Sequence, residues 1–128
     1  QEKRLRLLAK SEEGRARYPF AVQYLEDLLS GKKLADGSDY YWYANVLQQW
    51  KGDAKALPAF KRVSEEATEK EVQALAHVRI GDIMQRSGDY AGAREHYLDA
   101  ERLLPNSALA KASKENAAQL GMAMEVAK

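Results

Sequence analysis

Apolar residues recur at spacings of three and four along most of the chain, the period of a helix with one buried face. The stretch at residues 81–107, GDIMQRSGDYAGAREHYLDAERLLPNS, shows the unit most clearly. Gly81 is small enough to let a second helix approach closely. Gly88 suits the left-handed conformation that ends helices, and Asp89 suits the cap of the next one. Tyr90, Ala93, Tyr97 and Ala100 then fall on one helical face. Pro105 follows where that helix has ended and its ring disturbs no hydrogen bond. The spacing predicts two helices folded back on each other about a Gly-Asp turn.

The unit repeats. Ala93, Tyr97 and Ala100 correspond to Ala56, Phe60 and Val63, a shift of 37 residues, and these correspond to Ala21, Leu25 and Leu28, a shift of 35. Gly52 and Asp53 supply the second turn, displaced by one residue. The preceding helices carry a small residue at the matching place in Leu8-Ala9, in Ala44 and in Ile80-Gly81. Three copies are expected near residues 2–35, 37–73 and 74–107. Residues 108–127 form one more helix without a partner, suited to covering the last open apolar face of an array. The reading is a single all-α domain, 1–128, with seven helices. Pro19 and Pro58 are placed near the starts of second helices, where a missing N–H costs little.

Consecutive helical residues point about 100° apart, so Tyr40, Tyr41, Trp42 and Tyr43 cannot share a face. Trp42 and Tyr43 are expected to fill hairpin packing, with Tyr40 and Tyr41 towards the surface. Tyr41 or Trp42 is then a candidate ligand anchor, because exposed aromatics are enriched at binding hot spots.

Composition narrows the function classes. The formal net charge is +1, which argues against a duplex-binding protein. Absence of cysteine excludes disulfides and thiolate metal sites. No apolar run approaches the roughly 18 residues that span a bilayer, so no membrane insertion is expected. The first residue is Gln rather than Met, as in a trimmed or processed product. The compartment stays open between the cytoplasm and export with a targeting segment removed.

Candidate chemistry is sparse. His77 and His96 lie 19 residues apart with no paired-ligand spacing. His77 is expected in repeat packing and His96 facing out, with no metal and no cofactor. Glu66 and Lys70 read as a solvated i,i+4 pair. No nucleophile elbow surrounds Ser38, and the Gly-Asp pairs are helix punctuation rather than a phosphate cradle. The expectation is that the chain is not an enzyme.

The third copy resembles a tetratricopeptide repeat. His77, Ile80, Gly81, Met84, Ala93, Tyr97, Ala100 and Pro105 stand at that family's pattern positions. His77 replaces the family's Trp and Met84 its Tyr. The second copy is about three residues longer than the family norm and lacks the closing proline. The resemblance covers nearly the whole chain and implies a right-handed superhelical stack of antiparallel helical hairpins, an α-solenoid. It also implies that the first helix of each repeat lines a concave groove. Carried over position by position, that lining comprises Lys3, Arg6, Lys10 and Glu13, then Ser38, Tyr41, Asn45 and Gln48 with Gln49 adjacent. It continues through Leu75, Val78, Asp82 and Gln85 with Arg86 adjacent, and ends at Leu109, Ala112, Asn116 and Gln119.

Within this set Lys3, Arg6 and Lys10 form a basic stripe, favouring an acidic partner segment or a chain carboxylate. Asn and Gln both donate and accept, which suits a peptide backbone. Asp82 and Arg86 are expected to neutralise each other. Some family members clamp a chaperone's carboxylate tail, but at those places only Arg6 and Arg79 have compatible charge. The implied function is a protein–protein interaction scaffold or adaptor that binds a peptide or partner segment, with no nucleic-acid role. The alternative is a structural spacer or self-assembly module cut from a longer repeat protein.

Overall fold

The structure, a computed structural model, describes residues 1–126. It is all-helical, with seven helices and no strand among the described residues. In chain order these are α1 Glu2–Gly14, α2 Tyr18–Leu29, α3 Ser38–Lys51, α4 Asp53–Glu66, α5 Lys70–Arg86, α6 Tyr90–Leu103 and α7 Ala108–Val126. Residue 127, assigned from sequence to the last helix, lies outside the described residues. Each helix packs against the next in the chain, and α3 also touches α5. No helix among the described residues is long and apolar enough to cross a membrane.

The repeated apolar positions are the core. Ala21, Leu25 and Leu28, Ala56, Phe60 and Val63, and Ala93, Tyr97 and Ala100 are all buried. So are the small residues Ala9, Ala44 and Gly81 on the facing helices. Gly81 is needed for close approach: a Cβ there would stand 2.9 Å from Tyr97 Cε1 on α6. Burying these side chains is the main favourable term in an all-helical fold.

The two Gly-Asp turns solve different problems. Gly52 and Gly88 both have φ of 91°, the left-handed region. After Gly88, Asp89 caps α6 by accepting from Gly92 N–H at 2.9 Å. Gly52 alone joins α3 to α4, so Asp53 is already the first helical residue and its carboxylate is free to face elsewhere.

Several local expectations are corrected. Pro58 is the sixth residue of α4, beyond the first turn. It is tolerated because Ala54 and Pro58 both lie on the exposed side, which leaves the freed Ala54 carbonyl open to solvent. The third copy's first helix begins at Lys70 rather than near 74, adding a turn that buries Val72. Glu66 ends α4 and Lys70 opens α5, so they are not a helical pair; Glu66 instead accepts from Arg62 Nε at 3.1 Å. Tyr40 and Tyr41 are not surface residues. All four aromatics of that run are half-buried, with Tyr40 edge-on to Tyr43 at 5.4 Å and Tyr41 edge-on to Phe60 at 5.7 Å.

Candidate functional site

Tyr41, Asn45 and Gln48 recur at four and three residues along α3, which places them on one face. Arg79 reaches across from α5 and occupies them. Its guanidinium donates to Asn45 Oδ1 and Gln48 Oε1, and its Nη1 lies 3.4 Å from the Tyr41 hydroxyl. The same group sits 5.0 Å from the centre of the Phe60 ring, a cation–π contact. The amides expected to hold a partner backbone are therefore engaged within the chain. Gln48 Nε2 in turn donates to Asp53 Oδ1 at 3.0 Å.

Asp53 also receives Arg86, through Nε to Oδ2 at 2.8 Å and Nη2 to Oδ1 at 3.2 Å. Arg86 and then Gln48, by hydrogen bonding, hold the Asp53 carboxyl below its ordinary pKa. Asp82 and Arg86 thus do not form the expected pair. Asp82 accepts from the Tyr97 hydroxyl, and burial followed by this bond pushes the Tyr97 pKa up.

The basic stripe on α1 is partly spent. Arg6 donates to Asp39 Oδ2 at 2.8 Å and Oδ1 at 3.2 Å, tying α1 to α3, and to Glu2 Oε1 at 3.4 Å. Trp42 Nε1 donates to Glu13 Oε1 at 2.8 Å across the same seam, so Trp42 is an internal tie rather than a free anchor. Lys3, Lys10 and Gln49 are exposed.

Three further sequence-assigned residues meet at the other end. Gln85 of α5 and Asn116 and Gln119 of α7 line one cleft of about 280 Å³, together with Tyr90, Leu120 and Ala123. Asn116 is half-buried and Gln119 exposed, and neither makes a side-chain hydrogen bond among the described residues. Gln85 receives only a long contact from the Tyr97 hydroxyl, at 3.3 Å.

Core packing sets the register of these seams. Tyr43 and Val46 pack with Ala21 and Leu25, Ile80 and Ile83 with Ala56 and Phe60, and Ala117 and Leu120 with Ala93 and Tyr97. The residue just before each pair is Trp42, Arg79 and Asn116. Asn116 accordingly takes the place of Arg79, one turn away from the register implied by family spacing. The packed apolar pair, rather than spacing, decides where the helix sits.

No protein-family model matches the chain, and no curated protein matches its sequence.

One pair of residues is brought together that the sequence reading kept apart. His77 of α5 and His96 of α6 bring their Nδ1 atoms within 2.9 Å, with the rings tilted at 31°. Both are half-buried, so His96 does not face out. Burial holds the His77 pKa below its ordinary value, with His96 adding to the effect. Burial also lowers that of His96, against the nearby Asp99 carboxylate. The hairpin turn at Gly88 and Asp89 lies between the two histidines, so their separation of 19 residues along the chain does not measure their distance in space. Folding at that turn lays α6 back along α5 and brings the two rings together.

Proposed function

We propose that the chain is a protein-interaction module, a curved stack of tetratricopeptide-like helical hairpins that seats an extended partner segment against α5 and α7. One observation carries the reading. Gln85, Asn116 and Gln119, drawn from two helices, meet around a cleft in which neither α7 amide has a hydrogen-bond partner among the described residues. Each primary amide offers two N–H donors and a carbonyl acceptor, the complement of an extended peptide backbone. Tyr90, Leu120 and Ala123 supply the apolar wall for a small side chain. Exposed Lys3 and Lys10 leave positive charge on α1 for acidic residues of a longer segment. The seat lies at the C-terminal end of the face because Arg79 occupies its middle.

A peptide-display selection on the purified chain tests this. Selected peptides are expected to lose binding to a variant carrying Asn116→Ala and Gln119→Ala, with helical circular dichroism unchanged. Equal binding to both proteins sinks the assignment.

A second reading, self-association, has its own support. Large apolar side chains are exposed at both ends: Leu7 and Phe20 in the first hairpin, Met122 and Val126 on α7. Two different patches on one chain can stack head to tail. Light scattering that returns a concentration-independent monomer removes this reading.

A further inference from the structure

His77, His96 and a carboxylate oxygen of Asp99 place three ligand atoms all within 4.8 Å of one another. His96 and Asp99 stand three residues apart on α6, on one face, and His77 comes from α5. We propose that these three residues form a binding site for a divalent transition metal of the zinc type. Two imidazoles and one carboxylate are the ligand number and kind of an open zinc site, with the fourth tetrahedral position taken by water. Imidazole nitrogen favours zinc, copper, nickel and cobalt over magnesium and calcium, whose sites are built of oxygens.

The geometry is close to what such an ion needs. Zinc–nitrogen bonds of about 2.0 Å at a tetrahedral angle put two ligand nitrogens about 3.3 Å apart. The Nδ1 atoms are 2.9 Å apart, so a small rotation of either ring opens the gap. At this separation only one proton fits between the two Nδ1 atoms. Transfer of that proton to Nε2 of the same ring leaves both Nδ1 lone pairs facing the ion, with no change in net protonation. Burial, which disfavours the imidazolium form of both rings, works in the same direction.

The surroundings hold the ligands in place. Arg102 Nη1 donates to Asp99 Oδ1 at 2.6 Å, orienting the carboxylate in the manner of an outer-sphere partner. The contact of Gly81 with the Tyr97 ring fixes the approach of α5 to α6. Asp89 and Glu95 add negative charge near His96, while Lys61 opposes a cation there. The site is half-exposed, which gives the ion an entry path.

The test uses the chain without a polyhistidine tag, stripped with chelator. Zinc is titrated by calorimetry in the presence of excess magnesium, and cobalt by visible absorption. The expected result is one zinc per chain at an affinity of about 10 μM or tighter. Cobalt is expected to give the intense d–d bands of four-coordinate geometry, and zinc to raise the thermal midpoint. His77→Ala, His96→Gln and Asp99→Asn should each weaken zinc by at least about tenfold. If His77→Ala fails to fold by circular dichroism, the other two variants decide. Failure of the unmodified chain to bind zinc at about 100 μM overturns the site, as does unchanged affinity in both His96→Gln and Asp99→Asn.

Discussion

The seam between α3 and α5 and the seam between α5 and α7 carry similar polar residues and reach opposite states. In the first, Arg79 spans the gap and binds Asn45, Gln48 and Tyr41. In the second, Asn116 stands at the same packing position and makes no hydrogen bond to Asp82 or Gln85 among the described residues. A long side chain at that position closes a seam, as Trp42 does between α3 and α1 through Glu13. A short one leaves a cleft with unpaired amides. Polar residues on the same face of equivalent helices can therefore be internal ties or an open surface, and one side-chain length separates the two.

Substitutions can break or sharpen this contrast. Arg79→Ala should have the largest effect, because it strips two half-buried amide oxygens of their donor and removes a cation–π contact. A loss of about 2 kcal/mol is expected, read as a lower urea midpoint with unchanged slope. Arg79→Lys should recover only part of it, since an ammonium cannot fork to two amides. An Arg79→Ala midpoint equal to that of the parent chain would show that the seam is held by its apolar residues alone.

Asn116→Arg should convert the open seam into a closed one. The new guanidinium is placed to reach Asp82 and Gln85, so stability should rise by about 1 kcal/mol while peptide binding in the cleft is lost. A variant that gains stability and still binds peptide would separate the cleft from the binding surface.

Acid should act on the closed side through Asp53. The folded pKa of Asp53 is depressed below the ordinary 3.8 by Arg86 and Gln48. Its contribution is thus fully present above the unfolded value and is lost as pH falls through the folded one. Denaturation curves of Asp53→Asn should therefore fall less steeply than those of the parent chain below about pH 4. Parallel curves would rule out a stabilising role for that carboxylate.

The smallest stability effect is expected on the open side. Asn116→Ala with Gln119→Ala should change stability by less than about 0.5 kcal/mol, because neither amide has a partner to lose among the described residues. A larger loss by thermal denaturation would mean that the cleft is structurally tied after all.

Much of the helical framework was legible in the residues. The recurrence of Ala21, Leu25 and Leu28 as Ala56, Phe60 and Val63, and again as Ala93, Tyr97 and Ala100, located the second helices and their buried faces. These residues report their role locally, since apolar spacing, glycine turns and caps act over a few positions. Arg79 could not be read in this way. It is an ordinary helical arginine until α3 is laid beside it. Asn45 and Gln48 looked available to a ligand for the same reason. Asp53 resembled a cap like Asp89, and only the one-residue linker at Gly52 released it to Arg86.

The sequence by itself thus determined where helices form, where they turn and which side of each is apolar, because those properties depend on neighbours three or four residues away. Tertiary structure alone decided which polar side chains remain free. That question is settled between helices, by reach and register. Arg79 meets α3, Asn116 lines an open cleft with Gln85, and His77 meets His96 only because whole helices dock through their apolar faces and carry their polar residues with them.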